Sequence, residues 1–219
     1  MAYRKKLYVP LQHIVNSGKS VALRVLNRTE PKWGYCVKCG IGRLADQHVF
    51  WRGTLPCDVL FIGEAPGKEE DREGFPFVGK SGKLLDQMIN AVQFGCYRQL
   101  SEQPTRFSND FTWAVTNVVC CRPTDKLGGP NRPPSPREVE NCLPRLDVFV
   151  RAAAAPKAII CLGRVAEKHC DGRFDIPMRY IYHPSFIIRQ GGLSHTLGKM
   201  AFDKAVRQAC RFLGKHGVI

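Results

Sequence analysis

The sequence predicts an α/β fold, a three-layer α/β/α arrangement in which helices cover a central, mostly parallel sheet of four strands. The first observation behind this prediction is that short apolar runs alternate along the chain with longer amphipathic segments. Because neighbouring parallel strands need a long crossover connection, usually a helix, this alternation is typical of a parallel sheet covered on both faces. The second observation is a hydrophobic fraction of 44% over 219 residues, which is enough for one large core.

The predicted strands are the short apolar runs at 59–62, 111–119, 158–162 and 179–182. The predicted helices are the segments with helical spacing of apolar residues, at 81–94, 135–154, 164–169 and 195–212. Ser135 begins the second helix as a capping box, with Pro136 in the first helical position and Glu138 three residues after the cap. Ser81 is expected to cap the first helix. The Gly- and Pro-rich segment 124–134 is predicted to be a surface loop.

The chain divides into a short leading segment and one main domain. Residues 1–30 carry a helix-like apolar pattern that Gly18 interrupts, and they are predicted to form an N-terminal helical extension. Residues 31–219 are predicted to form the domain that contains the sheet. No internal repeat is present in the sequence.

Charge and hydropathy restrict the partners of this chain. A formal net charge of +14 favours a polyanionic partner, with nucleic acid as the leading candidate. No apolar run reaches the ~20 residues that span a bilayer, and the basic start is not followed by the apolar region of a signal peptide. We therefore expect a cytoplasmic or nucleoid-associated monomer with no membrane contact.

The segment 63–79 concentrates polar and aromatic residues directly after the first predicted strand. Gly63 ends that strand, and Gly67 allows a ligand to approach the backbone closely. The segment also contains four carboxylates and two aromatic rings: Glu64, Glu69, Glu70 and Asp71, with Phe75 and Phe77. Carboxylates and aromatic rings at the carboxyl end of a strand predict a pocket for a flat polar ring.

Residues 74–81 match the phosphate-loop pattern GxxxxGK[ST] letter for letter. A phosphate loop leaves a buried strand directly and exposes its amides through small residues. Here the six preceding residues, 68–73, are all charged, and the loop interior contains two Phe residues. We therefore expect no nucleoside triphosphate site.

The ten cysteines of the chain point to a metal site together with buried thiols. Cys36 and Cys39 form a CxxC pair, and Cys121 and Cys142 form a second pair further along the chain. Four thiolates suit either zinc or a four-iron cluster, and the spacing leaves both open, including a zinc-binding interaction module as an alternative function. Cys120 neighbours Cys121, and the alternation of side chains along a strand predicts that only one of the two faces the site.

Six stretches taken together resemble the iron–sulfur class of the uracil-DNA glycosylase superfamily, often called family 4. They are GEAPGKEED at 63–71, GFPFVGKSGKLLD at 74–86, TNVVCCRP at 116–123, ENCLPRL at 140–146, ICLG at 160–163 and YHPSFIIRQ at 182–190. The resemblance covers roughly residues 33–213 in register order. This chain departs from the family pattern in the thirty or so residues before the CxxC, in the insertion at 124–134 and in the long segment 95–110.

The resemblance implies a [4Fe-4S] cluster on Cys36, Cys39, Cys121 and Cys142. In the family pattern the third ligand directly precedes Arg-Pro, which selects Cys121 over Cys120. The resemblance also implies a DNA repair glycosylase that flips uracil out of single- or double-stranded DNA and hydrolyses its N-glycosidic bond. The alternative is a non-catalytic DNA-binding or replication-accessory protein that retains the fold and the cluster.

The implied roles fall on three groups of residues. The catalytic candidates are Glu64, Glu70 and His183; the substrate-binding candidates are Gly63, Ala65, Gly67, Asp71, Phe77 and Asn117; the DNA-binding candidates are Ser185, Ile187 and Arg189. His183 would donate a hydrogen bond to uracil O2 as negative charge develops there, and Asn117 would recognise the N3–H and O4 edge. Taken alone, His183 and Asn117 would more often have structural roles; the Pro-Ser turn that follows His183 at the end of a strand favours its functional role, and the resemblance favours that of Asn117.

The remaining roles are stacking on the flipped base, orienting the attacking water and contacting the DNA duplex. Phe77 is expected to stack on the flipped base, although a core position is its natural alternative. Glu70 and Glu64, ahead of Asp71, are expected to orient the attacking water and to stabilise the sugar cation. The segment 185–190 is expected to form a loop that wedges the duplex with apolar side chains while Arg189 contacts phosphate.

Overall fold

The structure is a computed structural model that describes residues 33–34, 36–100 and 111–219, without the side chains of 95–100 and 153. The predicted N-terminal extension at 1–30 lies outside the described residues, as does part of the segment 95–110. No helix within the described ranges combines the length and apolarity needed to cross a membrane.

The described secondary structure alternates between strands and helices. In chain order it consists of α1 (Ile41–Leu44), β1 (Trp51–Gly53), β2 (Val59–Gly63), α2 (Lys68–Glu73), α3 (Lys80–Leu100), β3 (Trp113–Asn117), α4 (Pro136–Val148), β4 (Ala158–Leu162), α5 (Arg164–Cys170), β5 (Met178–Ile181), α6 (Pro184–Arg189) and α7 (Thr196–Lys215). A π-helical turn, Phe149–Ala154, continues α4, and a 3₁₀ turn, Gly192–Ser194, precedes α7.

The strands form one sheet in the order β1-β3-β2-β4-β5. β3, β2, β4 and β5 are parallel, while β1 runs antiparallel to β3 at the edge. The α/β class and the mostly parallel sheet are therefore confirmed, but the sheet has five strands in the described part of the chain rather than four. β1 was missed because its three residues, Trp51-Arg52-Gly53, are too few to show an alternating pattern.

Side-chain alternation along the strands separates two cores and defines the three layers. Leu60 and Ile62 of β2 pack on one face with residues of α4 and α5, whereas Val59 and Phe61 pack on the other face with residues of α3 and α7. The register of β2 and β3 places Gly63 directly beside Asn117. The carboxyl ends of these two central strands therefore meet at one level at the same edge of the sheet.

The four predicted helices are present, but some begin or end at other residues than predicted. The Ser135 capping box is present, since Ser135 N donates to Glu138 Oε2 at 2.8 Å and Glu138 N donates to Ser135 Oγ at 3.4 Å. α3 begins at Lys80, so Ser81 lies inside the helix and is not its cap. Segment 124–134 contains neither helix nor strand, as predicted.

Three short helices, α1, α2 and α6, were not predicted. The four residues of α1 are too few to show a helical spacing of apolar residues. α2 consists of charged residues with no apolar periodicity, so nothing in its pattern indicates a helix. α6 occupies the segment that was expected to be a wedging loop, and His183 is its N-cap. Pro184 occupies the first position of α6, where the missing N–H costs nothing.

The loop that precedes α3 packs directly against the backbone of that helix at Gly82. A Cβ atom at Gly82 would lie 1.7 Å from the carbonyl oxygen of Phe77. Gly82 is therefore required by the close approach of this loop and not by an unusual backbone angle.

We expect Gly82→Ala to destabilise the fold by about 2 kcal/mol, because the loop must shift away from the helix. In a domain of this size that loss lowers the melting temperature by roughly 4–8 °C in a thermal unfolding measurement. Gly214→Ala is the matched control: Gly214 is an exposed helical glycine with nothing within 4 Å of the added Cβ. The control should be neutral or slightly stabilising. Equal melting temperatures for the two variants would contradict the close approach.

Candidate active site

The floor of the site is formed where β2 and β3 end. A Cβ atom at Gly63 would lie 2.4 Å from Asn117 Oδ1 and 2.5 Å from Phe77 Cζ, so only glycine fits there. Asn117 is 1% exposed, and its Oδ1 has no hydrogen-bond partner among the described residues. A buried acceptor without a donor costs about 1–3 kcal/mol, so a ligand N–H at this point is favoured.

Phe77 forms one wall of the site and adopts an unusual backbone conformation. Its φ is +56°, in the left-handed region that residues other than glycine seldom occupy. Its buried ring lies 5.7 Å from the His183 ring, centroid to centroid. Strain of this kind persists only where surrounding contacts enforce it.

Arg52 of β1 supplies contacts that enforce the position of Phe77. Its Nε donates to Pro76 O at 2.8 Å, and a terminal nitrogen donates to Phe77 O at 3.0 Å and to Asp86 Oδ1 at 2.7 Å. Sequence reasoning missed Arg52 because it missed β1, and a single arginine between a tryptophan and a glycine carries no recognisable motif.

His183 is held at the start of α6 by both polar atoms of Ser185. Ser185 N donates to His183 Nδ1 at 3.0 Å, and Ser185 Oγ lies 2.8 Å from the same nitrogen. Because a backbone N–H can only donate, Nδ1 carries no proton and the ring proton of neutral His183 is on Nε2. Arg189 donates to Ser185 Oγ at 3.2 Å, which leaves the hydroxyl hydrogen free to donate to Nδ1.

The surroundings of His183 keep it neutral. Burial, reinforced by the Arg189 charge, lowers the pKa of His183 to about 4, although the Glu70 charge opposes this shift. At neutral pH the imidazole is therefore an uncharged Nε2–H donor.

The carboxylate of Glu70 is fully engaged in holding the loop. One oxygen accepts from Val78 N at 3.0 Å and Gly79 N at 2.9 Å, while the other accepts from Gly67 N at 3.1 Å. These contacts assign Glu70 to fixing the loop rather than to orienting water. They also occupy two backbone amides of the segment that matches GxxxxGK[ST], those of Val78 and Gly79, so these amides already bind a carboxylate of the protein itself.

The other carboxylates of this segment differ sharply in what they contact. Asp71 is buried, and its Oδ1 accepts from Asp46 N at 2.9 Å and Gln47 N at 3.2 Å, which indicates a structural role instead of the expected substrate contact. Glu64 is half-buried, and its side-chain carboxylate accepts no hydrogen bond from the described residues; burial raises the pKa of this carboxyl. Among these carboxylates, Glu64 is therefore the half-buried one whose oxygen atoms are available for a water molecule.

Two predicted pocket residues near the turn support the loop. Ala65 packs against the core on the α4 side of the sheet. Gly67 is the N-cap of α2, and a Cβ atom there would lie 2.8 Å from Glu70 Oε2. Their contacts shape the turn, and the structure shows no polar group of theirs reaching the Asn117 side chain.

The residues predicted to contact DNA differ in how deeply they are buried. Ile187 is 0% exposed and lies in the core on the α7 side, so it cannot wedge a duplex. The reason is that the segment is helical, and a helix turns Ile187 inward where a loop would have left it outside. Ser185 supports His183, and Arg189 is exposed. The exposed large apolar side chains that follow α6 are Leu193, Leu197 and Met200.

The predicted metal ligands lie in one neighbourhood at the α4 side of the sheet. The Sγ atoms of Cys142 and Cys120 are 3.6 Å apart, and Cys120 N donates to Cys142 Sγ at 3.4 Å. Burial raises the pKa of Cys39, and the nearby Cys142 and Cys36 thiols raise it further. Contact with Cys121 raises the pKa of Cys120.

The alternation argument that separated Cys120 from Cys121 was wrong. β3 ends at Asn117, so residues 120–121 are not in a strand and consecutive side chains need not point oppositely. Both thiols are buried; Cys120 lies beside Cys142, and Cys121 contacts Cys120. Cys120 therefore competes with Cys121 as the third ligand.

The donor set fits a four-thiolate group in its chemistry and location. Within the ranges the structure describes, no three Cys, His, Asp or Glu side chains are arranged to hold a metal ion. Nevertheless, the Cys142 and Cys120 thiols crowd each other, and contact with Cys120 together with burial raises the pKa of Cys142. A bound cation would relieve this crowding by stabilising the thiolates.

Comparison with known proteins agrees with this arrangement. The family model described as the uracil DNA glycosylase superfamily matches residues 50–210, which include every wall of the site described above. The chain belongs to the uracil-DNA glycosylase superfamily.

Several relatives carry the name type-4 uracil-DNA glycosylase. The chain is 36% identical over 143 residues to one from Archaeoglobus fulgidus, covering 64% of this chain and 61% of the relative. It is 37% identical over 134 residues to one from Sulfurisphaera tokodaii, covering 61% and 52%. It is 27% identical over 202 residues to one from Thermotoga maritima, covering 83% and 91%. The match thus spans about half to three fifths of the length of the first two of these relatives.

We expect an NMR titration to find His183 neutral down to about pH 4, with its proton on Nε2. Because the folded pKa lies below the unfolded value of 6.5, the unfolded chain takes up the proton first as the pH falls. Stability should therefore decrease between about pH 6.5 and pH 4, and His183→Gln should lack this part of the decrease. A titration midpoint near 6.5, or a proton on Nδ1, would contradict the geometry.

Proposed function

We propose that the protein is a uracil-DNA glycosylase that removes uracil from DNA by hydrolysing its N-glycosidic bond. The observation that carries the proposal is the buried, unpartnered Oδ1 of Asn117, enclosed by Gly63 and Phe77 with His183 across from Phe77. These groups form a narrow site for a flat ring that presents an N–H donor and carbonyl acceptors.

Base recognition falls to Asn117. Its Oδ1 would accept from uracil N3–H while its amide N–H₂ donates to O4, which matches uracil and mismatches the C4 amino group of cytosine. Phe77 would pack against the face of the flipped ring. The cost of leaving Oδ1 unpaired in the free protein is recovered only when a base with a donor at this position enters.

Stabilisation of the leaving base falls to His183. As the glycosidic bond breaks, negative charge grows on the uracil ring, and a donor fixed in advance stabilises it. The Ser185 contacts fix the donor as Nε2–H, and the neutral ring donates without giving up a proton. This assignment follows from the tautomer and is independent of which carboxylate orients water.

Glu64 is assigned the positioning of the attacking water and the stabilisation of the sugar cation. Its carboxylate is the one near the pocket that is half-buried and has no hydrogen bond to the described residues. It would hold the attacking water and stabilise positive charge on the sugar. Glu70 contributes its charge to the site while its oxygens hold the loop.

DNA binding would use the basic surface and the region after α6. The net charge of +14 supplies the electrostatic attraction to phosphate, and Arg189 is an exposed cation beside the pocket. Leu193, Leu197 and Met200 would replace Ile187 as the apolar side chains that enter the base stack. Such a role would place the protein with intracellular DNA, in the cytoplasm or at the nucleoid, and a single chain supplies the whole pocket.

We also propose that Cys36, Cys39, Cys121 and Cys142 hold a [4Fe-4S] cluster, with Cys120 as the competitor of Cys121. When bound, the cluster would supply a cross-link between the CxxC segment, the end of β3 and α4, together with a concentrated negative charge. The hydrolysis itself transfers no electron, so the residues of the pocket carry the chemistry.

Uracil release from a labelled uracil-containing oligonucleotide tests the function. We expect the wild-type protein to release uracil. Asn117→Asp should lower single-turnover excision by at least roughly 10²-fold, because an ionised aspartate can only accept hydrogen bonds and its oxygen would repel the acceptor O4 of uracil. Asn90→Asp is the matched control on the exposed face of α3 and should leave the rate unchanged.

The same assay separates the competing functions. Wild-type protein that binds uracil-containing DNA without releasing uracil would support the non-catalytic alternative and overturn the proposal. Near-normal excision by Asn117→Asp would show that another residue recognises the base.

The purified protein should be brown, with broad absorbance at about 400 nm and about one four-iron cluster per chain. Cys121→Ser should bleach and destabilise it, whereas Cys120→Ser should keep the iron. The reverse pattern would make Cys120 the third ligand. A colourless, active protein with stoichiometric zinc would overturn the cluster assignment.

A further inference from the structure

Arg145 is a buried cation that the proposed chemistry does not use. It is 3% exposed and lies on α4, three residues after Cys142, so both side chains are on the same face of the helix. No ion pair between Arg145 and a carboxylate occurs in the part of the chain that the structure describes. A buried charge normally requires an opposite charge, and removing its partners costs several kcal/mol.

The guanidinium of Arg145 bonds to the end of β3, where the base-recognising residue lies. One terminal nitrogen donates to Thr116 Oγ1 at 3.2 Å. The other donates to Val118 O at 3.0 Å and to the carbonyl oxygen of Asn117 itself. Arg145 thus holds three consecutive residues around the amide that is proposed to recognise uracil.

These contacts are needed because the strand ends at this point. Beyond Asn117, the backbone N–H groups of Val118 and Val119 still donate to Gly63 O and Glu64 O. The carbonyls of Asn117 and Val118 receive hydrogen bonds from Arg145 instead. An apolar side chain at 145 would leave both carbonyls buried without these donors, at a cost of about 1–3 kcal/mol each.

On its other side Arg145 faces sulfur. Cys142 precedes Arg145 by three residues on the same face of α4, and Cys142 Sγ lies 3.6 Å from Cys120 Sγ, so the buried guanidinium lies beside this group of thiols. Cysteines ligated as thiolates at this site would supply the counter-charge that a buried Arg145 requires. The same side chain contacts the sulfur neighbourhood and the backbone of Asn117.

We propose that Arg145 is a positioning residue that links the sulfur site to base recognition. The negative charge of the thiolates holds the guanidinium in place, and the guanidinium fixes the backbone of Asn117 and Val118 so that the Asn117 amide faces the flipped ring. This proposal rests on the proposed glycosylase function and on thiolate ligation at the cysteine neighbourhood. It also gives the cluster a role in a reaction that requires no electron transfer.

The test compares Arg145→Met and Arg145→Lys in the cluster-containing protein, with Arg137→Met as the matched control on the exposed face of α4. Single-turnover uracil excision is measured in the wild-type background and in Asn117→Ala. We expect Arg145→Met to lower excision by roughly 10- to 100-fold, Arg145→Lys to lower it less, and the control to have no effect. In the Asn117→Ala background, Arg145→Met should cause little further loss, because Arg145 acts through Asn117.

A second readout does not depend on activity. Removing a positive charge beside the cluster should shift its reduction potential to more negative values in Arg145→Met, less in Arg145→Lys and not at all in the control. If Arg145→Met does not retain its cluster, uracil excision and the reduction potential are both measured on Arg145→Lys instead.

The outcomes separate this proposal from the proposed function. Absence of uracil release by the wild-type protein would contradict the function itself. Normal wild-type release with equal losses from Arg145→Met in both backgrounds would show a general packing role and overturn the link to Asn117. An unchanged reduction potential would overturn the link to the sulfur site.

Discussion

The pocket depends on the carboxylate of Glu70. Its two oxygens accept hydrogen bonds from Gly67, Val78 and Gly79, and so join the start of the loop to its end. Hydrogen bonds to an ionised acceptor are stronger than neutral ones. The closed loop holds Phe77 in its left-handed conformation against the floor of the site. A carboxylate of the protein thus occupies two of the backbone amides that the phosphate-loop residue pattern contains.

The elements that the sequence predicted well are those with a repeated pattern. Apolar strands and amphipathic helices repeat at periods of two and 3.6 residues, so the α/β class, four of the strands and the capped α4 could be found from the residues alone. β1 and α2 are too short to show a period, and β1 carries Arg52. The site could be located because the ends of parallel strands share one edge, which brings Gly63 and Asn117 together. Arg145 could not be found, since its partners are backbone carbonyls distant in sequence.

Roles were harder to predict than positions. Glu64, Glu70 and Asp71 are chemically similar in the sequence, and only the folded chain shows which oxygens are already bonded. Glu70 and Asp71 bind backbone amides, whereas Glu64 keeps its oxygens available. Ile187 illustrates the same limit for apolar residues. Its placement inside or outside depended on whether its segment was a loop or the helix α6, and the short distance from Pro184 to Arg189 gave no periodic signal for a helix.

The charge distribution around His183 explains how a neutral ring can stabilise an anion. Arg189 donates to Ser185 Oγ, and the Ser185 hydroxyl and backbone N–H both face Nδ1 of His183. Hydrogen bonds in such a chain polarise one another, and donation into Nδ1 withdraws electron density from the ring. The Nε2–H group consequently becomes a stronger donor while the ring remains uncharged. A charged imidazolium would require a proton on Nδ1, which would oppose the Ser185 N–H and weaken the N-cap of α6. The fold therefore ties the donor strength of His183 to the integrity of the helix that carries Arg189.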